Sequence, residues 1–208
     1  YVTRMQSALT ALGYPDVLKV DIIQMVRMVE DGKEVKMSKR TGNAITIREL
    51  CEDVGVDAAR WFFVSKDVAT HMDFDMKLAR SKDNNNPVFY AQYAYSRMHS
   101  IMNNSKIPGF TQVATYDRLS DEKELQLMKL ISEFPIEVAN AAASRKPNKI
   151  TEYIISLVKV YHSYYNSSRV NNPEDPELTN QRLGLVKATM ITLKNALNLV
   201  GVEAPESM

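Results

Sequence analysis

The sequence predicts a mainly α-helical chain, with a short α/β portion followed by an all-α helical bundle. Three observations carry this. Val20 to Val29 (VDIIQMVRMV) is a nearly continuous apolar run of the kind that fills a buried sheet. After residue 83 the apolar residues recur at steps of three and four, the helical period. Between the two parts lies Asp83-Asn84-Asn85-Asn86-Pro87, the clearest punctuation in the chain.

Met5, Leu9 and Leu12 predict a first helix over about 3–12, stopped at Gly13. The apolar run predicts a strand over about 19–29, and a short strand is expected around Glu34–Met37. Asp31-Gly32 between them is a turn signal. Thr46-Ile47-Arg48-Glu49 has capping-box spacing and predicts a helix beginning after Thr46. Cys51 falls on the apolar pattern of that helix and is read as a small core residue. Asp57 is the expected N-cap of the next helix, which carries Arg60, Phe62, Phe63 and Val64.

Residues 1–83 and 84–208 are therefore read as separate units. In the second, Asn86 caps and Pro87 takes the first helical position. That helix runs to about Met102. Ser120 is the expected cap of the next, which Pro135 should kink or divide. A third spans about Pro147 to Ser168, with Ile150, Ile154, Leu157, Tyr161 and Tyr164 in one stripe and Ile155, Val158, His162 and Tyr165 in a neighbouring one. Asn171 to Pro176 breaks the chain. A last helix carries Val186, Met190, Leu193, Leu197 and Val200 and stops at Gly201. Long periodic helices with short breaks make a bundle.

The 208 residues suffice for a sizeable core, and no apolar run is long enough to span a membrane as a helix. One cysteine excludes an intramolecular disulfide and fits a reducing compartment. A net charge of +1 does not itself argue for nucleic acid, but the distribution is uneven. From Arg145 to Arg169 there are five basic residues and one acidic, and eight of ten tyrosines follow residue 83. Such a helix suits phosphates and bases, or it is an ordinary helix with a tyrosine-rich core.

The residues that bear chemistry are Lys36-Met37-Ser38-Lys39-Arg40, running into Thr41-Gly42-Asn43. A fixed tetrapeptide arises by chance in a chain of this size once in ~10³. Two ammonium groups three residues apart, just before a helix N-terminus, suit a polyphosphate whose charge shifts during reaction.

Read along its length, the chain resembles the C-terminal part of arginyl-tRNA synthetases of the bacterial type, class I enzymes. Lys36 to Arg40 is similar to the KMSKS signature loop, with Arg40 in place of the last serine. Gly55-Val56-Asp57-Ala58-Ala59-Arg60-Trp61-Phe62-Phe63 resembles the stem-contact segment, and its Asp-Ala-x-Arg resembles the motif that names the family's DALR anticodon-binding domain. His71-Met72-Asp73-Phe74-Asp75, Asn86 to Arg97, Tyr161 to Asn166 and Gly201 to Met208 match further blocks in order. Tyr95 departs from the histidine often found there.

The resemblance implies that residues 1–83 are the C-terminal remnant of a Rossmann-like catalytic domain and 84–208 an anticodon-binding bundle. It implies ATP and L-arginine as substrates, Mg2+ accompanying the ATP, tRNA(Arg) as partner, and a cytoplasmic monomer. Lys39 would hold the phosphates in the transition state. Lys36 would assist, Ser38 would hydrogen-bond and Met37 would anchor the loop. Tyr93, Arg97, His162, Tyr165, Asn166 and Met208 would meet the anticodon region. Tyr93, Tyr165 and His162 could equally be core residues. The HIGH-type half of the ATP site is expected to lie in a missing N-terminal partner, so these residues alone should not activate arginine. A cysteinyl-type ligase and a non-catalytic tRNA-binding module are the alternatives.

Overall fold

The Asp31-Gly32 pair places two consecutive residues at positive φ, 48° and 74°. A two-residue turn of that hand matches the twist of the strands it joins. It links β1 (Val26–Glu30) to β2 (Lys33–Glu34) as an antiparallel hairpin, with Glu30 opposite Lys33. On the other side of β1, β3 (Met72–Asp75) runs parallel, from Val26 opposite Met72 to Val29 opposite Asp75. The sheet order is β2-β1-β3. The computed structural model describes residues 1–35, 45–104 and 115–208.

The strand is shorter than the apolar run that predicts it. Backbone pairing on β3 begins only at Val26. Upstream, Ile22, Ile23 and Met25 are 64%, 71% and 77% exposed. Apolar side chains alone do not make a strand without a ladder partner. The helix before them, α1 (Val2–Ala11), buries none of its residues fully.

Thr46 caps α2 (Ile47–Val54) with both halves of the capping box. Its Oγ1 accepts from the Glu49 amide at 3.2 Å, and the Thr46 amide donates to Glu49 at 2.7 Å. Cys51 is half-buried against the core. The next helix, α3 (Val56–Val64), starts one residue before the expected cap. Gly55, at φ 85°, is its N-cap, and the Asp57 carboxylate is engaged elsewhere. Trp61 is 1% exposed and anchors α3 in the core. Arg80, at the end of α4 (Met76–Arg80), joins Asp53 of α2 to Glu30 of β1.

Asn86 performs two tasks at the next junction. Its Oδ1 accepts from the Val88 amide at 3.1 Å and caps α5 (Pro87–Asn103). Its Nδ2 donates to the carbonyls of Ala79 and Ser81, fixing the end of α4 to the start of α5. The bundle continues with α6 (Glu122–Ser144), α7 (Asn148–Ser167) and α8 (Pro176–Leu199). The cap of α6 is Asp121 rather than Ser120, because Asp121 forms a full capping box with Glu124. Pro135 lies inside α6, which continues as one helix on both sides of it.

The predicted stripe of α7 is the centre of the core. Ile154, Leu157, Tyr161 and Tyr164 are each 0% exposed and Ile150 is 5%. One buried cluster runs from Trp61 and Phe74 through Met98 and Tyr161 to Leu193 and Leu197. Burying side chains of this size is worth roughly 1.5–3 kcal/mol each before entropy is subtracted.

Candidate RNA-binding site

On α5, Tyr93 and Arg97 are one helical turn apart and share a face. Arg97 Nη1 donates to the Tyr93 hydroxyl at 3.3 Å. The same guanidinium lies over the Tyr165 ring of α7, its central carbon 5.3 Å from the centroid. A cation over an aromatic face is attracted by the ring's quadrupole. Hydrogen bonding to Tyr165 and Tyr93 raises the Arg97 pKa further above its already high value. The rings are braced in turn. Phe89 stacks on Tyr93 at 6.2 Å between centroids, and Tyr161 on Tyr165 at 6.1 Å. The two rings therefore stand on two helices, with the cation over the Tyr165 face and bonded to the Tyr93 hydroxyl.

Tyr93, Arg97 and Tyr165 line an open concavity of about 410 Å³, together with Ser96, Ser100, Asn104, Asn171 and Met208. Four of the six residues proposed for RNA from sequence thus meet around one hollow. The other two do not. Asn166 is exposed and lies outside this lining. His162 points inward, its ring 5.1 Å from Tyr90 and 5.6 Å from Tyr161. Burial lowers its pKa, with a smaller contribution from the Arg97 charge. Its Nε2 is buried and has no hydrogen-bond partner among the described residues, which suits a neutral, half-buried histidine. Lys36, Met37, Ser38 and Lys39 lie outside the described residues.

Sequence reasoning missed Ser96, Ser100, Asn104 and Asn171. The serines follow Tyr93 and Arg97 by three positions and share their face, a spacing that α5 made available. Asn171 comes from the segment after α7 and only tertiary packing brings it there.

Met208 reaches the hollow because residues 200–208 run along α5. Ser96 Oγ donates to the Pro205 carbonyl at 2.6 Å, and His99 Nε2 lies 3.5 Å from a Glu206 carboxylate oxygen. Val202 beneath them is 2% exposed. Met208 also borders a second, larger concavity of about 720 Å³, lined by Gly55, Asp57, Lys82, Phe89, Gln92 and Glu203 among others.

Among the described residues no helix is long and apolar enough to cross a membrane.

Comparison with known proteins bears on the family and the fold. The family model for the DALR anticodon binding domain matches residues 91–208, which hold all but the first turn of α5, all of α6 to α8, and the residues that line the concavity. An arginine–tRNA ligase of Halalkalibacterium halodurans is 51% identical over all of this chain, and the match covers 38% of that protein. A crystal structure from Campylobacter jejuni, described as an arginyl-tRNA synthetase, superposes with a TM-score of 0.86 at 28% identity. It covers all of this chain and 45% of that one. The Thermus thermophilus arginyl-tRNA synthetase superposes with a TM-score of 0.70 at 25% identity, over 87% of this chain and 34% of that one. The chain thus spans about two fifths of the length of the curated relatives it matches. In sequence and in fold it belongs to the DALR anticodon-binding family, in the form found in the C-terminal part of arginyl-tRNA synthetases.

Proposed function

We propose that the chain acts as the C-terminal part of an arginine–tRNA ligase and holds the anticodon region of tRNA(Arg) in the concavity of Tyr93, Arg97, Tyr165 and Met208. The observation that carries this is the Arg97 guanidinium fixed between the Tyr93 hydroxyl and the Tyr165 face at an open hollow. Anticodon bases are single-stranded, and such bases are recognised by stacking on aromatic and guanidinium planes and by hydrogen bonds to their edges. A planar cation braced by two rings offers both. His162 supports the Tyr90 and Tyr161 rings from within, and Asn166 is available only to RNA outside the hollow.

In this reading ATP and L-arginine form arginyl-adenylate with release of pyrophosphate, and the arginyl group passes to the tRNA 3′ end. Lys39, assisted by Lys36, Met37 and Ser38, would neutralise the ATP phosphates, which Mg2+ accompanies. Residues 1–83 would belong to the catalytic domain and 84–208 to the anticodon domain, in a cytoplasmic monomer.

The test is binding of tRNA(Arg) transcripts with native and altered anticodons. Anticodon-dependent binding that Tyr165→Ala weakens supports the reading. Binding indifferent to both changes overturns it.

A further inference from the structure

Asp57 is the hub of a closed ring of hydrogen bonds. Its Oδ2 accepts from Gln92 Nε2 at 2.7 Å, and its Oδ1 accepts from the Glu203 amide at 3.2 Å. Gln92 Nε2 donates again, to the Glu203 carbonyl at 3.1 Å. Three segments, α3, α5 and the tail, are joined at one point. A turn away, Arg60 Nε donates to the Val200 carbonyl at 3.2 Å, so α3 holds the tail twice. On α5 the tail's partners are Gln92, Ser96 and His99, a single helical stripe. That stripe ends where Ser207 and Met208 join Tyr93 and Arg97 in lining the hollow.

We propose that Asp57 and Gln92 are positioning residues for the RNA-binding concavity: they fix the tail in register on α5 and thereby place Met208 at its edge. The proposal rests on the functional reading above, but its mechanical half stands independently of RNA. Asp57 lies outside the lining of that hollow, and its negative charge would not be chosen to meet a phosphate. Its influence on RNA must therefore pass through the tail. The chemistry of the ring is specific. With an amide in place of the Asp57 carboxylate, the Glu203 amide still finds an acceptor while Gln92 Nε2 faces a donor. If Gln92 turns its amide to compensate, it loses the Glu203 carbonyl.

The experiment uses the 208-residue chain with Asp57→Ala, Asp57→Asn, Met208→Ala and the Asp57→Ala/Met208→Ala pair. Two quantities are read: hydrogen exchange at the Glu203 amide, and the Kd for an anticodon stem-loop of tRNA(Arg). Asp57→Ala is expected to speed exchange at Glu203 by about tenfold and to weaken RNA binding by about fivefold, the scale of one to two hydrogen bonds. Asp57→Asn should give a smaller effect on both. In the pair, the RNA loss should be less than the product of the single losses, because both act through Met208. Unchanged exchange at Glu203 would overturn the proposal, as would fully multiplicative losses in RNA affinity. Should the unsubstituted chain not bind the stem-loop at all, the functional reading fails, and exchange alone decides whether Asp57 fixes the tail.

Discussion

Arg97 lies 5.3 Å above the centre of the Tyr165 ring and bonds the Tyr93 hydroxyl with the same guanidinium. Lysine would keep the charge but not the plane or the fork of donors. Arg97→Lys is therefore expected to weaken binding of a tRNA(Arg) anticodon stem-loop by about fivefold, the scale of a partly exposed cation–π contact. Fluorescence anisotropy at fixed salt measures it. An unchanged Kd would count against a role for the guanidinium face.

Gly201 cannot accept a side chain. Its φ is 69°, and a Cβ there would sit 2.2 Å from Arg60 Nε. Gly201→Ala should cost about 1–3 kcal/mol through backbone strain and loss of the Arg60–Val200 bond. Urea unfolding measures it. Adding Arg60→Ala should cost little more, since the Arg60–Val200 bond is already lost in the single variant.

Glu124 is 1% exposed and pairs with Arg182 at 2.8 Å, while its other oxygen accepts from the Asp121 amide. Arg182→Ala would leave a buried carboxylate without its counter-ion, a loss of roughly 3–5 kcal/mol. Replacing both residues by apolar ones of similar volume should be far milder. A thermal melt that ranks the double variant below the single one would contradict this account.

His162 gives the fold a defined pH response. Its folded-state pKa is lowered, chiefly by burial, so the unfolded chain binds a proton more readily. Its contribution is fully present above the ordinary histidine pKa of about 6.5 and is lost as pH falls from there through the lower folded value. The urea midpoint should therefore drop between pH 8 and pH 5, and His162→Phe should flatten that dependence. Equal pH slopes in both chains would assign it to other groups.

The 208 residues span about two fifths of the ligases they resemble. Alone they are expected to show no arginine-dependent exchange of pyrophosphate into ATP. Turnover above background with the purified chain would show that Lys36 and Lys39 suffice without a HIGH-type motif.

Local chemistry was legible in the sequence wherever one short segment decided the outcome. Thr46 with Glu49, Asp31 with Gly32, and Asn86 with Pro87 each form what their spacing predicts. Ser120 lost to its neighbour because Asp121 stands three residues before Glu124, the spacing of a capping box. Asp57 has the chemistry of a cap, and partners 35 and 146 residues away claimed it instead. The strand from residue 19 failed for a similar reason, since pairing and not polarity sets where a strand begins. At the site, Tyr93 and Arg97 were visible as an i, i+4 pair. The inward turn of His162 and the arrival of Asn171 depend on how α7 packs, which no local pattern encodes.

The tail contacts also carry an order of events. The bonds from Glu203 and Pro205 to α5, and from Val200 to α3, close loops of 109 to 140 residues. Contacts of such long range have the highest closure entropy and tend to form late. On the ribosome, α5 is made long before the tail that lies along it. Its Tyr93–Arg97 face therefore stays unfinished until α7 and then the tail have followed it. It becomes a finished hollow only when Val200 to Met208 have been translated and have left the exit tunnel.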